Sequence, residues 1–463
     1  MDFLELIKSK DYKAAKELLS YKEGIESNTS EFKNIRDIRD TQVGKRSDKT
    51  TKDGTVKVSK IPIPFQRQIV KAASTFLLGS PVKIIEKKDS ENEDKDGEAF
   101  FEVMNNWDDM RMDSTLLKFC KAVKSETEAS IVFFSVQDEA TKSIKIKSRL
   151  ITSDNGKVSP VFDVFGDMVA FNWEYVVKEN GKDVTYWYCW TAETMYAVKG
   201  DGSTFTDLEG YPKANLFKKI PAVYMSQENP EWWEVQELID RFEMSFSKFA
   251  DTNDYFASPM YKAKGAVKSI PKKDETGKLV KLDIVETDKG NIIEADLDVI
   301  SWDRAPEALK LEFETNKGLI YGLTDTPDLT FDNVKGIGNV SGIALKLMFL
   351  GPILKAKEGE GEYKIAISRI LNIIKSGILN ITKKASAKQI EELRMDILFT
   401  SVLPENFKEI IEMLSEASGG KAIMSQKSAV SHNPLVDNVE EEMDNIKEEA
   451  ATEAIGSLGE TVV

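Results

Sequence analysis

Between Trp232 and Ser258 the chain carries Ile239, Phe242, Phe246, Phe249, Asn253 and Phe256 at 3-4-3-4 spacing, which is the repeat of one apolar seam along a helix. At 1.5 Å per residue the segment would run roughly 40 Å, well beyond the average globular helix. Two readings fit it: a buried core helix, or a helix packed lengthwise against copies of itself. A second helix is expected from Asp303, whose carboxylate suits an N-cap, with Pro306 tolerated in the first turn. Its face repeats Leu309, Phe313, Asn316, Ile320 and Leu323. Between the two helices, β-prone runs in 265–302 flank Asp288-Lys289-Gly290-Asn291, a turn signal. The pattern is a helical stalk carrying a small β-rich knob.

The rest of the chain has to surround that stalk. Residues 1–20 place Leu4, Ile7, Ala14 and Leu18 at helical spacing and read as one short amphipathic helix. Residues 45–60, with six bases and two acids, read as a polar, mobile arm. A helix is expected over 61–79, entered through Pro62 and Pro64 and ended by Gly79-Ser80-Pro81. Another is expected near 98–126. From about 130 to 200 the period shortens to runs such as SIVFFSV, MVAFNWEYVV and DVTYWYCW, with Asn155-Gly156 and Asn180-Gly181 as hairpin signals. We read an antiparallel meander packed on helices, hence an α+β chain. Trp173, Trp187 and Trp190 fall in these runs, where sheet packing is the ordinary role and base stacking the alternative. Residues 325–341 are rich in Gly, Asn, Asp and Pro and read as a loop. Ser341 can cap a following helix, which Gly351-Pro352 should kink before the helical pattern resumes to about Lys384. Residues 394–402 read as one more strand. From Pro404 the chain is helical and increasingly acidic.

Several chemistries are excluded. The only two cysteines, Cys120 and Cys189, are too far apart in sequence for a metal pair. The single histidine, His432, lies in a polar, acidic stretch and reads as a surface residue. There is no G-x-x-x-x-G-K-[ST] loop; SGGKA around Lys421 lacks the spacing and the hydroxyl. Asp108-Asp109 and Asp325/Asp328 are acid pairs of the kind that bind Mg²⁺ in nucleases, but their ordinary role is in caps and solvated loops. The expectation is no catalytic residue, no metal and no cofactor. The start, MDFLELIKSK, lacks the apolar core of a signal peptide. No apolar run approaches a membrane span of ~18 residues, so a cytosolic chain needing no disulfides is expected.

Four segments, in order, resemble the portal proteins of long-tailed double-stranded-DNA phages. IVKAASTFLLGSPVKI (69–84) resembles that family's helix ending in Leu77-Leu78-Gly79-x-Pro81. ELIDRFEMSFSKFADTNDYFASPMYKAKG (237–265) is similar to its Leu-Ile-Asp-x-Tyr helix, with Phe242 in place of tyrosine. YGLTDTPDLTFDNVKGIGNVSGIALKLMF (321–349) resembles its most specific signature, Pro327-Asp328-Leu329 followed by Ser341-Gly342-x-Ala344-Leu345-Lys346. Residues 402–449 are similar to its C-terminal Leu403-Pro404 and Val436-Asp437-acidic pattern.

The resemblance implies a non-enzymatic subunit of a twelve-membered ring at a capsid vertex, through which double-stranded DNA is packaged and ejected. It would be found in the virion, and in the host cytoplasm during assembly. The implied partners are terminase, a head-tail adaptor, and the major capsid protein or scaffold, with no membrane. It divides the chain into an N-terminal helix and arm (1–60), a wing (61–236), stem helices (237–262 and 303–323), a clip (263–302), a tunnel-loop, wing-helix and strand segment (324–403) and a helical crown (404–463). The stem would pack between subunits through Ile239, Phe242, Phe246, Phe249 and Phe256. The clip would offer Lys268, Lys272, Lys273 and Lys278 to the motor or adaptor. Asn333, Val334, Lys335, Gly336 and Ile337 would face the DNA. The alternatives are a minor head or adaptor protein and a metal-dependent DNA-processing enzyme. The net charge of -15 argues against a protein that grips phosphates. It suits a wall past which DNA slides.

Overall fold

The computed structural model describes residues 2–20, 42–51, 54–87, 97–137, 143–201, 204–256, 306–328, 346–400, 402, 407–419, 422–433, 435, 436, 439 and 442–449, together with the backbone of short strands between 260 and 300. The chain forms two units, Met1–Leu329 with Gly351–Thr400, and Thr330–Leu350 with Ser401–Val463.

The first unit opens with α1 (Phe3–Lys8) and α2 (Tyr12–Ser20). The single helix expected here is two, because Lys10 takes a left-handed φ of 62° between them. The buried face is Phe3, Leu6, Ile7, Tyr12 and Ala15, whereas Leu18 is 47% exposed. After the pair β1 (Lys49–Thr51) and β2 (Gly54–Val56), an extended stretch leads through Pro62 and Pro64 into α3 (Phe65–Leu78) and β3 (Lys83–Glu86). The helix expected over 98–126 is also two, α4 (Glu98–Asp109) and α5 (Met112–Glu126), separated at Arg111 with φ 52°.

Strands β4 (Glu128–Gln137), β5 (Ile144–Ile151), β6 (Lys157–Phe162), β7 (Met168–Glu179), β8 (Lys182–Trp190), β9 (Thr194–Gly200), β10 (Phe205–Asp207), β11 (Lys213–Ala214) and β12 (Ala222–Ser226) follow. β6 to β10 form the expected meander, with β11 also on β9, while β12-β4-β5 is a separate sheet. Asn180 (φ 50°) and Gly181 (φ 78°) make the tight β7–β8 turn, pairing Glu179 with Lys182. Asn155-Gly156 is not a hairpin, since it joins β5 of one sheet to β6 of the other. Glycine is required at 156: φ is +138°, and a Cβ there would lie 2.4 Å from the Trp173 indole nitrogen.

A 3₁₀ turn (Trp233–Val235) starts α6 (Gln236–Phe256). Then come β13 (Met260–Lys264), β14 (Ala266–Ser269), β15 (Lys281–Asp283), β16 (Val285–Glu286), β17 (Ile292–Ile293) and β18 (Asp296–Ile300). They pair β13 with β18, β14 with β15, and β16 with β17, all antiparallel. The stalk returns as α7 (Pro306–Leu323), with Pro306 in its first turn as expected. The long α8 (Leu350–Gly377) takes Pro352 in its first turn; residues 346–348 before it are helical and 349 is a turn, so the helical run breaks beside Gly351-Pro352 as expected. A π turn (Ile378–Thr382), α9 (Ala387–Glu392) and β19 (Met395–Leu398) complete the unit. β19 pairs with β3, Leu398 opposite Lys83. In the second unit lie α10 (Phe407–Ser418), α11 (Gln426–Ser431) and helical residues 442–449.

The largest core cluster gathers α8 (Ile367, Ile370, Ile374) with Trp107, Phe119 and Phe133. Each such fully buried side chain contributes ~1.5–3 kcal/mol. The helical stretch Leu350–Thr382 is long and apolar enough to cross a membrane by length and composition. The expectation that no segment would reach that mark is therefore corrected, although this stretch buries its isoleucines inside the first unit. A second cluster packs α1 and α2 on one face of the meander, around Trp187 and Cys189.

Candidate functional site

The apolar seam of α6 meets α7 and α3 of the same chain. Ile239 and Ile320 are fully buried and Phe242 is 8% exposed, in one cluster with Phe65, Ile69 and Trp232. The rings interlock: Phe242 lies 5.3 Å from both Phe65 and Phe313, and Phe313 is 5.6 Å from Phe246 and 6.2 Å from Phe249. Such aromatic pairs add ~0.5–1.5 kcal/mol beyond their burial. Outside the seam, Arg241 and Ser245 donate to Glu312 at 2.9 and 3.1 Å. The opposite face of α7 is bare within this unit: Leu311, Leu319 and Leu323 are 65%, 44% and 57% exposed. Thr315 shares their i+4 row, and Gly318 and Gly322 beside it have open space at their Cβ positions.

A second arrangement corrects the expectation of a mobile arm, because hydrogen bonds fasten residues 46–63 to α6. Glu243, Ser247 and Asp251, one turn apart on α6, accept the backbone N–H groups of Ile63, Ile61 and Ser59 in that order, at 2.7, 3.1 and 2.5 Å. The periods match, because four helical residues rise about 6.0 Å and two extended residues about 6.6 Å. Pro62, between two of the donors, has no N–H to satisfy. Arg46 ties the same strap by donating to Asp251 at 2.6 Å and to the Ser59 carbonyl. Burial pushes the Glu243 carboxyl up to about 7; Asp240 adds to this and the Ile63 N–H opposes it. Burial also acts to raise Asp251, but the Ser59 N–H and Arg46 outweigh it and hold that carboxyl below its ordinary value.

Just before α6, Glu231 accepts from Lys124 of α5 at 3.0 Å and from Lys355 of α8 at 2.6 Å. Lys355 also donates to the Thr324 carbonyl at the end of α7, at 2.8 Å. Burial alone would raise the Glu231 carboxyl, yet the two ammonium groups hold it below the usual carboxylate range. Neither the strap nor this triad was read from the sequence. Three acceptors at i, i+4 and i+8 on one helix, with a Pro-x-Pro segment to meet them, would have signalled the strap.

The aromatic residues of the meander are used within the fold. Tyr175 stacks on Tyr186 at 5.4 Å and 6°, and Trp173 lies 4.6 Å from Tyr175 and 5.7 Å from Tyr188. Arg149 covers Trp173 at 5.0 Å. These ring faces are occupied by one another, which leaves little for a base to stack on, and Trp187 and Trp190 are buried. Cys120 and Cys189 are buried free thiols, Cys120 pushed up to about 11 chiefly by burial. His432 is exposed, with its ring nitrogen 2.8 Å from the Ser428 carbonyl oxygen. Among the described residues, no three His, Cys, Asp or Glu side chains group as a metal site.

Phe256 is the last residue of α6, and Lys268 falls at the register shift between Val267 and Ser269 on β14. Lys272, Lys273, Lys278, Asn333, Val334, Lys335, Gly336 and Ile337 lie outside the described residues.

A family model described as "Phage portal protein, SPP1 Gp6-like" matches residues 7–456. No curated protein matches the chain significantly. Similar solved structures include one described as the neck of a native GTA particle computed with C12 symmetry, with TM-score 0.44, 11% identity, and 81% of this chain and 91% of that one covered. Another is described as the virion of a native gene transfer agent (GTA) particle, with TM-score 0.42, 10% identity, and 89% and 94% covered.

Proposed function

This chain belongs to the SPP1 Gp6-like family of phage portal proteins, and we propose that twelve copies of it form a closed ring at a capsid vertex, a passive channel for double-stranded DNA. The observation that carries the reading is the family match over residues 7–456, nearly the whole chain. In the ring, 237–262 and 303–323 form the stem and 263–302 the clip. The clip takes terminase during packaging and the head-tail adaptor afterwards, through Lys268, Lys272, Lys273 and Lys278. Residues 61–236 form the wing, and 404–463 the crown. Asn333, Val334, Lys335, Gly336 and Ile337 line the channel, where small groups and one cation track the duplex without reading bases. The subunit carries out no reaction of its own.

Within each copy, Ile239 and Phe242 hold the stem pair together. Contact with the next copy falls to Phe246, Phe249 and Phe256 further along the seam, and to the bare Leu311–Leu319–Leu323 row of α7. That row supports lateral packing, because an exposed apolar stripe on a long helix is stabilised by a partner. Electron micrographs of the purified chain test the proposal. Closed rings with a central hole are expected; monomers alone, across concentration and salt, would refute it.

A further inference from the structure

A groove of about 670 Å³ runs along the middle of α8, between Gly361 and Ile373, and is closed on its other side by the turn Lys218–Ile220. Lys218, Lys219, Lys364 and Arg369 line it, and among the described residues no carboxylate does. In a chain of net charge -15, four cations in one concavity without a lining acid are unusual. Lys364 has an ion-pair partner in Asp396 at 2.9 Å. Arg369 donates Nε–H to the Ala222 carbonyl at 2.8 Å, its Nη2 lies 3.9 Å from the Met168 sulfur, and its charge is felt by Asp167, outside the lining.

The turn that presents the two lysines is built. Lys218 has a left-handed φ of 52°, a conformation that costs a non-glycine residue about 1–3 kcal/mol unless its surroundings impose it. Here the buried Asn215 imposes it, donating to the Thr191 and Lys219 carbonyls at 2.7 and 2.8 Å and accepting from the Phe217 N–H at 3.1 Å. The positive field is felt nearby: burial and then the Lys219 charge hold the Lys375 ammonium below its ordinary value. The groove also has an apolar side. Ile365 stands at its lip, 73% exposed, and Ile373 and Met168 lie within it.

We propose that this groove binds an acidic peptide segment of a partner protein, with carboxylates on Lys218, Lys219 and Arg369 and an apolar side chain on Ile365. Duplex DNA fits less well: its phosphates lie on a convex cylinder that would meet the exposed lysines but not the half-buried Arg369, and they offer Ile365 no apolar group. The volume is that of a site for a few side chains. The inference goes beyond the ring and does not depend on it.

The test is fluorescence anisotropy with the full chain and a labelled peptide of Glu-Glu-Leu repeats, with a Lys-Lys-Leu peptide and duplex DNA as controls. Saturable, salt-sensitive binding of the acidic peptide is expected. Lys218→Glu with Lys219→Glu should weaken it about tenfold or more, and Ile365→Ser about threefold, with melting temperatures unchanged. Lys147→Glu, exposed on β5 and outside the groove lining, should have no effect. No binding of the acidic peptide, binding indifferent to the double variant, or duplex binding through the same lysines without regard to Ile365 would each overturn the proposal. Ring assembly is scored separately, so peptide binding by a strictly monomeric chain would support this site and refute the ring.

Discussion

Glu231→Gln should be among the most damaging single substitutions in the first unit. Glu231 accepts from Lys355 at 2.6 Å and Lys124 at 3.0 Å, with its own side chain 10% exposed and theirs 23% and 13%. At an effective dielectric constant of 20, each contact amounts to about 6 kcal/mol before desolvation. Removing the shared carboxylate leaves two cations in a low-dielectric junction, and breaking a buried pair from one side costs about 3–5 kcal/mol. Lys355 keeps the Thr324 carbonyl, so most of the loss falls on Lys124. The assay is urea unfolding followed by tryptophan fluorescence, at matched protein concentration because assembly itself stabilises. The pH dependence has a definite sign: Glu231 in the folded chain lies below its ordinary value of 4.5, so its contribution is complete above that pH and is lost as pH falls through the lower folded value. Glu231→Leu combined with Lys124→Met should recover part of the loss, since an apolar pair avoids the stranded charge. A loss under about 1 kcal/mol for Glu231→Gln, typical of an exposed pair, would refute the reasoning.

Three further outcomes are expected. Glu243 in the folded chain is raised to about 7, so the strap is firmest below pH 4.5 and weakens as pH rises through about 7. Glu243→Gln keeps the acceptor for Ile63 and should stabilise the chain by on the order of 1–3 kcal/mol at pH 8, read as slower proteolysis of residues 42–60; unchanged proteolysis counts against it. Leu319→Glu should abolish rings while leaving the monomer's melting temperature within a degree or two, whereas Phe246→Asp should lower that temperature as well, because Phe246 packs on Phe313 within the chain. Deleting 334–338 should leave rings intact but impair DNA packaging or retention in a particle assay, and packaging equal to wild type would make the segment a linker.

Local chemistry determined which parts of this fold were legible. The Asn180-Gly181 turn followed from two residues that tolerate left-handed angles. The helices α6 and α7 followed from a seam long enough to be periodic, and the 394–402 strand from a β-prone run. The breaks at Lys10 and Arg111 were hidden because both are ordinary helix formers whose left-handed φ is imposed by the packing on either side. Asn155-Gly156 has the same letters as a hairpin turn, yet β5 and β6 go to different sheets because β5 pairs with β4 and β6 with β7. The β3–β19 pairing joins residues more than 300 positions apart, and no local pattern announces such a partner.

The candidate site divides along the same line. A seam of Ile239, Phe242, Phe246 and Phe249 says which face of a helix needs cover, but not what supplies it. Here Phe313 and Ile320 supply it for the first half, and this moves the question of lateral contact to the far side of α7. That side was masked in the sequence by its small residues: Thr315, Gly318 and Gly322 dilute the apolar row of Leu311, Leu319 and Leu323. The same small residues would let a neighbouring helix approach closely. Burying that row at a subunit boundary would therefore leave the intrachain aromatic lock undisturbed, so that each stem pair could form before the ring closes.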